Sequence, residues 1–168
     1  MGYPRSDGPA CLVLDVRLAG ENGLLVQETL RADARRLPII FLTGYGTIPL
    51  CVRAMKAGAV DFLQKPVDDE ALLTAVATAL EQDARTRDRQ RYQAAVRECF
   101  ATLTPREREV LGLVITGVPN KDIATSLGTS EKTIKAHRAR VMQKMQASSL
   151  AALVRMAAFL GLGEVQTG

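Results

Sequence analysis

The stretch LTPREREVLGLVITGVPNKDIATSLGTSEKTIKAHRARVMQKM, residues 103–145, decides how the chain is read. Thr104, followed by Pro105 and, three residues on, by Glu107, spells a capping box with proline at the first helical position. Val110, Leu111, Val114 and Ile115 recur at the spacing of one helical face, and Gly117 offers a C-terminal stop. Asn120 is placed to cap a short second helix carrying Ile123, Ala124 and Leu127, which Gly128 ends. Ser130 can cap a third helix, Glu131 to Gln146, and a fourth runs from Ser149 to Leu160. Residues 101–168 are therefore expected to form an all-α, four-helix domain.

Two short helices separated by a glycine turn predict a helix-turn-helix, whose second helix enters the major groove of DNA. Turning that helix at about 100° per residue puts Ile134, Val141 and Met145 on one side, facing the core. Lys132, Lys135, Ala136, Ala139, Arg140 and Gln143 gather on the other. Small alanines among cations allow close approach to base edges, although alanine's helix propensity alone would also place it there. Lys121, Thr133, His137 and Lys144 lie where phosphate contacts are available; for His137, packing at the core edge is an equal alternative. Arg138 sits beside the apolar stripe and is expected to snorkel outwards. From 121 to 144 six Lys/Arg face only two acids, Asp122 and Glu131, which concentrates basic charge where a groove would be met.

Upstream, residues 81–100 (EQDARTRDRQRYQAAVRECF) are dense in charge and free of Gly and Pro, which predicts a semi-rigid helical linker. The first 80 residues read differently. Cys11-Leu12-Val13-Leu14, Pro38 to Thr43, and Ala59 to Leu63 are short apolar runs of the kind buried on both faces of a parallel sheet. Helical patterns lie between and after them, at Asn22 to Arg31, Ile48 to Lys56, and from Asp68 onward. The expectation for 1–80 is an α/β domain of three parallel strands with helices. Asp15, Thr43 and Lys65 fall at the carboxyl ends of its strands, where such sheets bind ligands.

Composition limits the function. The chain has 168 residues, 47% apolar and 24% charged, which is a globular balance. Three scattered cysteines and one histidine give neither a disulfide framework nor a zinc site, and a reducing cytoplasm fits best. No apolar run is long enough for a membrane span. Residues 1–80 carry net −1 and residues 81–168 carry net +5, which suggests a second module facing a polyanion, although such a charge would equally serve to keep a domain soluble.

Here the residues resemble a known family. Residues 103–145 resemble the LuxR-type helix-turn-helix of the FixJ/NarL response regulators, with the capping box, the turn glycine and the S-E-x-T-I-K-x-H stretch in order. Residues 11–66 resemble the flavodoxin-like receiver of the same proteins. The resemblance implies a two-component transcriptional regulator that binds double-stranded DNA and is not an enzyme. It makes Glu131 to Gln146 the recognition helix, places a homodimer contact on DNA at Ser149 to Leu160, and makes a histidine kinase the partner of a full receiver. It further implies that Asp15 is the phosphoacceptor position, Thr43 the sensing hydroxyl, Phe62 the aromatic that changes rotamer, and Lys65 the phosphate-pairing lysine.

The family's chemistry needs Mg²⁺, held partly by acids at the end of a first strand, and residues 1–10 lead almost directly into what resembles the third strand. Ala19 also stands where the family often has proline. The expectation is therefore a partial receiver that is not phosphorylated in the ordinary way, with Asp15 a residual metal ligand and no cofactor. Mg²⁺ enters only if the acids are supplied upstream of Met1. Two other readings stay open: a complete response regulator whose N-terminus lies outside this chain, regulated through Asp15, and an interaction protein that pairs with other receivers through an exposed sheet edge.

Overall fold

The structure, a computed structural model, describes residues 8–18, 21–22, 37–44 and 48–162. In chain order its elements are strands β1 (Leu12–Asp15), β2 (Arg17–Leu18), β3 (Glu21–Asn22) and β4 (Ile39–Thr43), helix α1 (Ile48–Lys56) and strand β5 (Asp61–Gln64). Five helices follow: α2 (Asp69–Ala101), α3 (Pro105–Ile115), α4 (Asn120–Ser126), α5 (Glu131–Lys144) and α6 (Leu150–Phe159). The chain divides into two compact units, Met1–Arg89 and Gln90–Gly168, and the division falls inside the charged stretch of α2.

The first unit holds the three-stranded parallel sheet that its apolar runs predict, in the order β1-β4-β5. β4 is central, so it must be apolar on both faces. Ile39 and Phe41 pack with Leu14, Val16, Ala54 and Ala59 on the α1 side. Ile40 packs with Ala75 and Ala79 of α2 on the other. Asn22 corrects one expectation: it ends β3, paired antiparallel with Arg17, instead of starting a helix. The remainder of the expected 22–31 helix lies outside the described residues.

The helix expected from Asp68 and the expected linker at 81–100 are one continuous helix of 33 residues. Asp68 Oδ1 accepts the Ala71 N–H at 2.9 Å, and Asp69 and Glu70 occupy the first turn, where the helix dipole favours acids. Nothing in the charged stretch breaks the helix, and Arg85 pairs with Glu81 one turn away at 2.6 Å. Asp83, 4% exposed, accepts the Ala10 N–H at 2.9 Å and pairs with Arg87 at 2.8 Å, tying the start of β1 to α2.

In the second unit α3 to α6 close around one cluster that includes Val110, Leu111, Ile123, Ile134, Val141, Met145 and Leu153. The end of α2 contributes Val96. Tyr92 of α2 meets Phe159 of α6 edge to face at 5.3 Å between ring centres. Both halves of the Thr104–Glu107 capping box are made, with Pro105 at the start of α3. Gly117 and Gly128 both adopt positive φ, 82° and 60°, as helix stops of this kind require. Helix α5 ends two residues earlier than its pattern suggests. Gln146 turns left-handed at φ 53°, which lets the Ala147 N–H reach the Met142 carbonyl at 3.0 Å.

Candidate nucleic-acid interface and the strand-end cluster

Ser130 caps α5 by accepting the Thr133 N–H at 3.1 Å. Ile134, Val141 and, just past the helix end, Met145 have at most 1% exposure. Lys132, Lys135, Ala136, Ala139, Arg140 and Gln143 are all exposed, as the helical projection requires. One side of α5 is thus closed into the core, and the opposite side is an open row of cations with alanine gaps. Lys135 pairs with Glu131 at 3.1 Å, but both side chains are about half exposed. Such wet pairs contribute little and are readily given up to a better anion. Lys121 and Thr133 are also exposed.

Three expectations change on contact with the structure. Asn120 does not cap α4; Pro119 holds the cap position without a side-chain bond, and Asn120 is the first helical residue. Its Oδ1 instead accepts from Arg138 Nη1 at 2.6 Å. That is also the correction for Arg138, which is half-buried and held by α4 where the pattern suggests a side chain reaching into solvent. Lys144 has partners inside the domain: its Nζ donates to Glu107 Oε2 at 2.6 Å and to the Thr102 carbonyl at 3.1 Å. His137 is half-buried, and its Nδ1 has no hydrogen-bond partner among the described residues.

Glu107 is the polar centre of this unit. It is 3% exposed, and its carboxyl is held at a pKa of about 2, chiefly by the hydrogen bond from Lys144 and then by the Thr104 N–H. Arg106, next to it, pairs with Glu109 at 2.8 Å and donates to the Leu127 carbonyl in the turn before α5. The sequence shows Glu107 only as a capping residue. Its cation lies 37 positions away, and no local spacing announces the pair.

In the first unit the parallel register brings the strand ends together. Asp15 closes β1, Thr43 closes β4, and the Lys65 N–H after β5 donates to the Thr43 carbonyl at 2.7 Å. Lys65 Nζ lies 2.5 Å from Asp15 Oδ2. The Thr43 side chain is buried. Phe62 stands on β5 with its ring 6.3 Å from that of Phe41. A hard dication such as Mg²⁺ wants several oxygen ligands. Among the described residues no group of three or more His, Cys, Asp or Glu could hold a metal, and the single strand-end carboxylate already meets an ammonium.

An α/β unit with a carboxylate and a lysine at its strand ends, followed by a helix-turn-helix with one cationic side, defines a signal-responsive regulator of transcription. Comparison with known proteins agrees. Residues 2–77 match the response regulator receiver domain, and residues 101–157 match the bacterial regulatory proteins of the luxR family. The chain is 51% identical over 161 residues to Nodulation protein W of Bradyrhizobium diazoefficiens, covering 96% of this chain and 71% of that one. It is 43% identical to the transcriptional regulatory protein FixJ of Azorhizobium caulinodans, covering 96% of this chain and 75% of that one. The solved structure of the response regulator StyR superposes with a TM-score of 0.79 at 44% identity, over 93% of this chain and 79% of that one. The chain belongs to the two-component response regulators with a LuxR-type helix-turn-helix output domain. No described helix is long and apolar enough to cross a membrane.

Proposed function

We propose that the exposed side of α5 reads the major groove of a specific duplex. Lys132, Lys135 and Arg140 contact base edges and phosphates, and Ala136 permits close apolar approach to a base. Lys121 and Thr133 lie beside this row and contact phosphate, as does His137 through the outer part of its ring. Lys144 is left out of the contact set because Glu107 and Thr102 already hold it. The observation that carries the reading is the division of α5 into a closed apolar side and an open cationic one.

The partner is double-stranded DNA, bound by a homodimer through α6, where Leu150 and Val154 are exposed one turn apart. The setting is the cytoplasm, which suits the three free thiols Cys11, Cys51 and Cys99. The described residues are assigned no resident metal. A histidine kinase enters as partner through Asp15 only where further acids join that carboxylate.

The test is a duplex selected by the full chain from random sequence. Lys132→Ala combined with Lys135→Ala should weaken binding to it by at least about tenfold and lower the salt slope of log affinity by about 0.9 for each phosphate no longer neutralised. Affinity unchanged in that double variant overturns the assignment of the groove face.

A further inference from the structure

The apolar stripe of α5 does not by itself fix how the helix lies. Hydrophobic burial is non-directional, so Ile134, Val141 and Met145 tolerate a small roll or slide of the helix against α3. Charge-assisted hydrogen bonds are short and directional and tolerate much less. At its N-terminal end α5 is held by the Ser130 cap, and at its middle by Arg138 on Asn120. At its C-terminal end it is held by Lys144, the last helical residue.

The partners of Lys144 belong to two other elements. Glu107 Oε2 accepts from Lys144 Nζ at 2.6 Å and from the Thr104 N–H at 2.9 Å, so the same oxygen anchors the first turn of α3. The Thr102 carbonyl, 3.1 Å from Lys144 Nζ, lies just past the end of α2. That end is held a second time by Arg108 of α3, whose guanidinium stands 4.9 Å over the Phe100 ring.

We infer that Lys144 and Glu107 are a positioning pair, one that sets the angle at which α5 offers its exposed side to DNA by tying the last turn of α5 to the start of α3 and the end of α2. Neither residue touches the duplex. An ammonium has three donors, and two of them are engaged inside the domain. The pair rests on the groove reading above but makes a different demand: its removal should cost sequence discrimination while leaving general attraction to phosphate in place.

The experiment uses the full chain with two probes, a duplex selected by the wild type and a scrambled duplex of the same length, each over a salt series, with a melting curve for every variant. Lys144→Met should bind the selected duplex about tenfold or more weakly, with scrambled-duplex affinity and salt slope unchanged. Lys144→Arg keeps a donor for Glu107 and should return selected-duplex binding to within about twofold of wild type. Glu107→Gln preserves shape and should fall in the same direction; it decides the matter if Lys144→Met does not fold. Equal weakening on both duplexes with a slope lowered by about 0.9 would make Lys144 a phosphate contact and overturn the inference. Unchanged binding to both, with only the melting point lowered, would overturn it by reducing the pair to a fold stabiliser. Should the wild type select no duplex, the groove reading itself falls, and the positioning pair with it.

Discussion

The helical unit and the α/β unit cover their apolar side chains differently. In the helical unit Leu111, Ile123, Ile134, Met145 and Leu153 meet in one cluster, and all five are fully buried. In the α/β unit the core is split by the sheet into an α1 side and an α2 side. Phe41 and Ile40 are its two large, fully buried side chains among the described residues, one for each face. Among the described residues large apolar groups stand further into solvent there: Ile48 is 82% and Leu73 is 69% exposed, against 43% for Leu150 in the helical unit. A bundle whose elements are neighbours in sequence can close on itself, whereas a sheet gains its core only through strands paired at long range.

The contrast breaks most sharply at Phe41. Phe41→Ala should cost the α/β unit about 3–5 kcal/mol and lower its melting transition, with that of the helical unit left in place. A single transition, shifted as a whole in the calorimetric scan, would show that the two cores are not separate.

The next largest effect compares two ion pairs. Glu107→Gln removes a buried charge-assisted bond and should cost about 1–3 kcal/mol near neutral pH. Because the folded carboxyl is held at about 2, below its ordinary value of 4.5, the charged pair stabilises fully above that ordinary value and loses its effect as pH falls through about 2. Urea midpoints of wild type and variant should therefore converge between these limits, and a constant gap would place the cost elsewhere than in the charge.

The smallest effect is at the other pair. Lys65 and Asp15 are 44% and 32% exposed, so Lys65→Met should change stability by no more than about 1 kcal/mol. At about 1 M salt that difference should vanish. A larger, salt-independent effect would make the strand-end pair equal in kind to the Glu107 pair and erase the contrast.

What could be read from the sequence followed locality. The capping box, the two stop glycines, the Ser130 cap and the buried stripe of α5 each lie within a turn or two of the residues they act on, and each stands where its pattern puts it. The apolar run of β4 is legible because a central strand covered on both faces has no polar side to show. What escaped depends on distance. Asn120 reads as a cap only while Arg138, eighteen residues on, is left out of view; in the fold that arginine takes its side chain. The reach of Asp83 back to Ala10 spans 73 positions. The unbroken length of α2 was obscured for another reason: past Glu81 its apolar period fades, and only the absence of a breaker and the charge pairs one turn apart carry the helix on.

One consequence follows from the bare places on α5. Ala136 and Ala139 are exposed, and neither belongs to the apolar core. Substitution there alters what the rod offers outward at little cost to folding, because surface changes away from caps and cores rarely move stability by more than about 0.5 kcal/mol. On the proposed groove reading, copies of such a gene could diverge at these two positions in the duplex they address while keeping one scaffold.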